Sequence, residues 1–292
     1  MDNHHSHQQE EAFSASLQAF ESEILTCLNQ FSLSSKSRSD ILTLTWIQQC
    51  LQLLPSMNKS FRKLILDINY PMNRWEALSV DEYLRVTLKL LDLLNSITSS
   101  VSHLGQARMS LSHALSLRGN SPSLEMKAIQ PLGSIKNWEG EENEVRTGEA
   151  ENCSSGKERI VCQAMAVLKV IGFWVCGVVA SNLCGDTESC LKLRNSISGF
   201  PNSSLMSLHI CVCEEMMAKG GLFEVREVNN GVAQLVSVTR GGSNIAVAKE
   251  LQRRVEKLGK LLEDVEEEVN RIFSEIMLER NDLLASLSQR IQ

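Results

Sequence analysis

The chain has 292 residues, of which 43% are hydrophobic and 22% are charged, and this balance predicts a globular protein rather than a disordered or fibrous one. Its net charge of -6 at pH 7 gives no general attraction to phosphate backbones, so nucleic acid is not expected among its partners. Aromatic residues make up only 5% and there are five prolines, fewer than a β-sandwich or barrel usually carries, so the composition favours helices.

Nine cysteines are scattered through apolar helical patterns, and the N-terminal residues show no basic stretch followed by an apolar one. We therefore expect no secretory signal and no disulfide framework. Most of the thiols are expected to be reduced and to pack as small hydrophobic side chains.

The first 104 residues contain no glycine, and their apolar residues recur every three or four positions, which predicts long helices. The first runs from about 10 to 31. The second opens with Ser39 or Asp40 as N-cap and lasts to Asn69, with a kink or break near Leu54 because Pro55 lacks an N–H. The third begins at a capping box formed by Ser79 and Glu82 and reaches about 117.

Residues 119–158 carry acidic charge without apolar periodicity, so they are predicted to form a flexible linker between an N-terminal helical region, 1–118, and a C-terminal one, 159–292. The two regions are expected to pack into one elongated bundle, with the linker looped out.

The segment 160–184 is the most hydrophobic in the chain, and two interpretations of it stay open. It is long enough to span a bilayer as a membrane anchor. However, Lys169 lies near its middle, where a charge costs about 2.5 to 3.5 kcal/mol on insertion scales, and this favours the central helix of a bundle covered by its neighbours.

The C-terminal half shows three further patterns. A helix from about 204 to 219 is expected to end at Gly220 and Gly221. The weak alternation over 222–239, with Asn229-Asn230-Gly231 inside it, predicts a small β-hairpin. The strict four-three spacing of apolar residues from 244 to 288 predicts a long helix whose wide stripe docks within its own chain rather than in a parallel coiled-coil dimer.

Each candidate site in the sequence also has a simpler structural explanation. His209, Cys211 and Cys213 suggest zinc, with Cys184 and Cys190 upstream, but positions i and i+2 of a helix point about 200° apart and no Cys-x-x-Cys pair exists, so buried thiols are expected instead. The acidic run 263–268 is expected to be a solvated helix face. We predict no catalytic residue, no cofactor and no metal, because no nucleophile, base and phosphate or oxyanion cradle assemble from the sequence.

Two strings of residues carry a family resemblance. The N-terminal string contains Phe20-x-x-Glu23, Leu44-Thr45-Trp46-Ile47, Pro71, Tyr83-Leu84 and Leu90-Leu91-Asp92-Leu93-Leu94-Asn95. The C-terminal string contains Leu262-Glu263, Val269-x-x-Ile272-Phe273 and Glu279-Arg280-x-x-Leu283-Leu284. Together they resemble the plant Bypass family, with one departure at Asn58, where many relatives are expected to have His.

The resemblance implies a non-enzymatic regulatory or scaffold protein in plant growth, since the founding member restrains production of a root-derived mobile signal that arrests shoot development. Partners are expected to be unidentified proteins, including trafficking components such as the exocyst, because relatives are linked to that machinery. The rival interpretations are a membrane-anchored adaptor using 160–184 and an enzyme of signal metabolism. A cytoplasmic location is expected, with an endomembrane location as the alternative.

Deletion of residues 140–155 is expected to leave the fold intact, because a charged segment without periodicity contributes little burial and loop length changes closure entropy slowly. Circular dichroism and the melting temperature of the shortened protein measure this. Loss of soluble protein on deletion would show that the segment is structural.

Overall fold

The computed structural model describes residues 2–34, 41–117, 128–129, 156–200, 203–238 and 245–291. Within these ranges the chain is helical, without a β-strand, so the all-α prediction is confirmed. The helices are α1 (Asp2–Ser34), α2 (Leu44–Leu51), α3 (Leu53–Asp67), α4 (Ala77–Leu117), α5 (Gly156–Cys184), α6 (Thr187–Ile197), α7 (Ser203–Lys219), α8 (Phe223–Val238) and α9 (Ile245–Ile291), with a 3-10 turn at Met72–Arg74 before α4.

Helix α5 lies at the centre of the bundle. Every residue from Val170 to Cys184 is buried, because α1, α2, α3, α4 and α6 all pack against it. Its one central charge, Lys169, is mostly buried and places its Nζ 3.3 Å from Oε1 of Glu82 in α4. The helix is long and apolar enough to cross a membrane, but 78% of its most apolar window is buried within the bundle. In this structure α5 is a central core helix.

The second helix predicted from the sequence is divided into α2 and α3. The break lies at Gln52, two residues before Leu54. Pro55 lacks the N–H that would bond to the carbonyl of Leu51, so the break falls one turn before the proline. The predicted N-cap was wrong: α2 begins at Leu44, and Thr43 Oγ1 accepts a hydrogen bond from the Trp46 N–H at 3.1 Å. Ser39 and Asp40 lie outside the described residues.

The turn before α2 is fastened to the distant helix α8. The Leu44 N–H donates to the Glu224 carboxylate at 3.1 Å, and the Phe223 N–H donates to the Leu42 carbonyl at 2.9 Å. Leu42 has a φ of 72°, a left-handed conformation that costs a leucine free energy and persists because these bonds hold it. The start of α2 therefore depends on α8, 180 residues along the chain.

The predicted capping box at the start of α4 was also wrong. The helix begins at Ala77, so Ser79 lies inside its first turn, buried, with its Oγ 3.3 Å from Cys162 Sγ in α5. Glu82 bonds to Arg85 and Lys169 instead of reaching back to a cap. The C-terminal end of α4 at Leu117 agrees with the prediction.

The hairpin predicted over 222–239 was wrong, because this segment is the helix α8. Its apolar residues also fit a helical face, and one such set is buried: Val225, Val228, Val232 and Leu235. Gly231 lies against α9, where a Cβ would come 2.9 Å from Leu251 Cδ1, so glycine permits a close approach of the two helices. The glycine that suggested a turn serves helix packing.

The segment predicted as a linker, 119–158, lies mostly outside the described residues, at 119–127 and 130–155. Helix α5 begins at Gly156, so the last three residues of that segment are helical. Ile129 is buried against α8, where its N–H donates to Asn229 Oδ1 at 2.8 Å and its carbonyl accepts from Asn229 Nδ2 at 2.9 Å. At this position the segment is docked on the bundle.

The remaining C-terminal predictions agree with the structure. Gly220 and Gly221 follow α7 with positive φ angles, as expected at a helix end. Helix α9 packs against α4, α8 and α2 of its own chain. Its four-three stripe is buried: Leu251, Val255, Leu258, Leu262, Val265, Val269, Ile272 and Ile276. Glu263, Asp264 and Glu267 of the acidic run are exposed.

Replacing Trp46 with Ala is expected to lower the free energy of unfolding by about 3 to 5 kcal/mol, because the side chain is 2% exposed and its ring lies 5.6 Å from that of Phe31. Urea unfolding measures the change. The control, Leu66→Ala, alters a 77% exposed leucine of α3 and is expected to change stability by less than about 0.5 kcal/mol. Equal effects of the two substitutions would contradict the assignment of Trp46 to the core.

Candidate functional site

Residues that carry the family resemblance meet at one place between α3, α4 and α9. Tyr83 and Leu84 belong to α4, whereas Glu279 and Arg280 belong to α9, 196 residues further along the chain. Asn58 of α3, the position that departs from the family pattern, completes the group. These five residues are called the junction cluster below.

Glu279 is the hub of the junction cluster. Its Oε1 accepts from Asn58 Nδ2 at 2.6 Å and from Arg62, and its Oε2 accepts from the Tyr83 hydroxyl at 3.1 Å. The carboxylate is mostly buried, whereas Arg62 is largely exposed. Because charge-assisted hydrogen bonds are stronger than neutral ones, one side chain of α9 holds both α3 and α4.

Arg280 makes the second link between α9 and α4. Its Nη1 donates to the carbonyl of Leu84 and to Oγ1 of Thr87. The Thr87 hydroxyl in turn donates to the carbonyl of Tyr83 at 2.6 Å. Glu279 and Arg280 are adjacent in α9. Together they therefore bond to side chains and to a backbone carbonyl within one turn of α4.

The junction cluster borders a small cavity of about 70 Å³ between α3, α4, α5 and α9. Its walls are apolar and are formed by Leu54, Pro55, Met57, Val86, Leu90, Met165, Leu168, Gly172, Ile272 and Ile276. Polar atoms come from the junction cluster, Thr87 and Glu275 at one side. Apolar walls favour an apolar occupant, and the acidic and phenolic groups beside them are already bonded to protein donors and acceptors.

Burial raises the pKa of Tyr83 to about 12, although Arg62 and Arg280 nearby act in the opposite direction. The phenol therefore stays neutral at physiological pH and donates its hydrogen bond to Glu279. Its ring is also packed edge-on against Trp75, with 5.7 Å between the ring centroids. These contacts fix the position of Tyr83 in the bundle. They favour a structural role for its side chain over the role of a base.

The cysteine and histidine residues considered for zinc separate in the structure. Cys184 lies 3.2 Å from the Ser100 hydroxyl, and Cys211 is half-buried away from the others. Cys190 of α6 and His209 and Cys213 of α7 come together, all buried, with their nitrogen and sulfur atoms within 4.8 Å of one another. This grouping was missed because the i, i+2 spacing was weighed and the i, i+4 spacing of His209 and Cys213 was not.

The fold defines an all-α helical bundle, and comparisons with known proteins confirm the resemblance to Bypass proteins. The ROH1-like family model matches residues 1–122, which include α1 to α4. The protein "BPS1, chloroplastic" of Arabidopsis thaliana is 28% identical over 93% of this chain and 83% of its own length.

Two rice proteins, both named "UPF0496 protein 4" and found in the japonica and indica subspecies of Oryza sativa, are 25% identical over 81% of this chain. The matched region covers 56% of their own length, so those relatives are considerably longer. No solved structure matches the chain.

The raised pKa of Tyr83 predicts a loss of stability at alkaline pH. An unfolded tyrosine has a pKa of about 10, so above that pH the unfolded state releases a proton that the native state retains until about 12. Between pH 10 and 11 the wild type is expected to lose about 1 kcal/mol more unfolding free energy than Tyr83→Phe does. Urea unfolding at each pH measures this, and Tyr70→Phe is the control. If the two variants show the same pH dependence, Tyr83 does not carry the effect.

Proposed function

We propose that this chain is a non-enzymatic regulatory or scaffold protein of plant growth and development, acting like Bypass proteins to restrain a root-derived signal that arrests the shoot. The proposal rests on the junction cluster, whose side chains hold helices together. Residues that carry the resemblance, Tyr83, Glu279 and Arg280, bond helices to one another. Residues that hold a bundle together support a protein that acts through the surfaces that the bundle presents.

An enzyme of signal metabolism requires a titratable group that is available to a substrate. In the junction cluster, Glu279 accepts hydrogen bonds from α3 and α4, and Arg280 donates to α4. Burial also holds Tyr83 neutral. These engagements support a structural use of the groups beside the cavity, and they favour a scaffold over an enzyme.

We further propose that the protein acts in the cytoplasm, with α5 inside the bundle and not in a membrane. The pairing of Lys169 with Glu82 supports this, because the charge that would be costly in a bilayer has a partner on α4. The name of the Arabidopsis relative includes the word chloroplastic. A fluorescent fusion in root cells, followed by alkaline carbonate extraction, distinguishes cytoplasm, chloroplast and membrane.

The functional test uses plants that lack this chain. Roots of such plants, grafted to wild-type shoots, are expected to arrest shoot growth, and the wild-type chain is expected to restore it. Glu279→Gln keeps the shape of the side chain and removes its charge. If the chain is a scaffold, this variant restores shoot growth as long as it remains folded at the growth temperature, as the exposed control Glu267→Gln does.

An enzyme that depends on Glu279 would instead lose activity in a variant whose melting temperature remains well above the growth temperature. Normal shoots on roots that lack the chain would contradict the growth-regulating role itself. Proximity labelling with the full chain in root cells identifies the proposed protein partners. Recovery of the same proteins with an unrelated helical bundle as bait would show that they are not specific partners.

A further inference from the structure

Two thiols and an imidazole lie in contact between α6 and α7. Cys190 Sγ and Cys213 Sγ are 3.5 Å apart, and Cys213 Sγ lies 3.6 Å from Nε2 of His209. All three side chains are buried, and the two cysteines are 23 residues apart in the chain. This contact unites residues of two helices that also pack together along their lengths.

The hydrogen bond from Trp174 determines which ring nitrogen of His209 is the acceptor. The indole N–H of Trp174 in α5 donates to Nδ1 of His209 at 3.4 Å, so Nδ1 carries a lone pair and Nε2 carries the proton of the neutral ring. Cys213 Sγ lies beside the ring, 3.6 Å from Nε2 and 4.0 Å from Nδ1. Cys190 Sγ is within hydrogen-bonding distance of the same sulfur. Cys213 therefore contacts both the imidazole and the second thiol.

The electrostatics agree with this geometry. The hydrogen bond from Cys190, and then that from His209, hold the pKa of Cys213 below its usual value, whereas the same contact with Cys213 and burial raise the pKa of Cys190. Burial alone raises the pKa of the core thiol Cys176 to about 12, and burial also raises that of Cys50. The pKa of Cys213 is therefore lowered, whereas the pKa values of those two core cysteines are raised.

A metal ion is the alternative occupant of this group. The distances of 3.5 and 3.6 Å resemble those between the ligands of a tetrahedral zinc ion, about 3.5 to 3.8 Å from its bond lengths. A metal on Nε2 would move the ring proton to Nδ1, where it would face the Trp174 N–H. The donor arrangement therefore favours a proton over a metal at Nε2.

We propose that Cys213 and Cys190, whose sulfur atoms lie 3.5 Å apart, form an oxidation site in which hydrogen peroxide converts the two thiols into an intrachain disulfide. The site is distinct from the junction cluster and does not depend on the proposed scaffold function. It assigns a covalent modification to α6 and α7, which pack on α5 and α1 respectively.

The reaction has two steps. The Cys213 sulfur attacks one oxygen of the peroxide, the O–O bond breaks, and the leaving hydroxide takes the proton that the Cys213 thiol gives up, which yields water and a sulfenic acid. The Cys190 sulfur then attacks Cys213, the S–O bond breaks, and the leaving hydroxide takes the Cys190 proton. Overall, two thiols lose two electrons and two protons, and one peroxide becomes two waters. The sulfur atoms approach from 3.5 Å to about 2.05 Å.

The test uses the full-length protein, purified without chelators and treated with hydrogen peroxide. The protein is then denatured, labelled with N-ethylmaleimide and weighed as an intact chain. The oxidised wild type is expected to take up two labels fewer than the nine of the reduced protein, and dithiothreitol is expected to restore them. Uptake of nine labels after peroxide would overturn the proposal. So would a native mass that contains zinc, with the thiols protected from peroxide.

Variants assign the two sulfur atoms. Cys213→Ser and Cys190→Ser are each expected to abolish the disulfide, whereas Cys211→Ser, two residues away on the same helix, and Cys176→Ser in the core are expected to keep it. With Cys190→Ser, dimedone is expected to trap a sulfenic acid at Cys213. His209→Phe is expected to slow disulfide formation roughly tenfold, because it removes the imidazole that contacts the Cys213 sulfur and lowers the pKa of its thiol. A disulfide that survives in Cys213→Ser, or a dimedone adduct on another cysteine, would overturn the assignment.

Discussion

Burial of α5 on all sides is the constraint on which the rest of the structure depends. From Val170 to Cys184 its residues expose almost no surface, and a helix without a polar face is stable in water only when other helices surround it. Helices α1 to α4 cover it from the N-terminal half and α6 from the C-terminal half. At roughly 25 cal/mol for each Å² of apolar surface removed from water, this helix contributes a large share of the hydrophobic stabilisation.

The polar contacts determine how the outer helices are arranged around that core. Glu279 and Arg280 hold α9 to α3 and α4, Glu224 holds α8 to the start of α2, and Lys169 of α5 is paired with Glu82 of α4. Hydrophobic burial has little directionality, whereas these charge-assisted bonds need particular partners, so they select one register among several apolar packings. The residues that carry the resemblance to Bypass proteins include Glu279 and Arg280 of this register-setting set.

Two chemically different groups therefore lie in one bundle. The junction cluster consists of polar groups that are engaged in holding helices, which supports a scaffold. The contact of Cys190 with Cys213 brings two thiol sulfur atoms to 3.5 Å from each other, which supports an oxidation site. Because α6 packs on α5 and His209 of α7 accepts a hydrogen bond from Trp174 of α5, a covalent change between α6 and α7 acts next to the core.

The sequence by itself determined the helical class, the C-terminal ends of α4 and α7 and the docking of α9, because a stripe of apolar residues every three or four positions encodes a helix and its buried face. It failed for α8, where a weak alternation and Gly231 suggested a hairpin. Leu251 of α9 fills the space that a side chain at position 231 would take, and the sequence does not show this contact. Similarly, Ser79 with Glu82 matched a capping pattern, but Cys162 and Lys169 of α5 are their partners. The junction cluster and the Cys190–Cys213 contact were decided by tertiary structure alone, since their members lie 196 and 23 residues apart and only packing brings them within bonding distance.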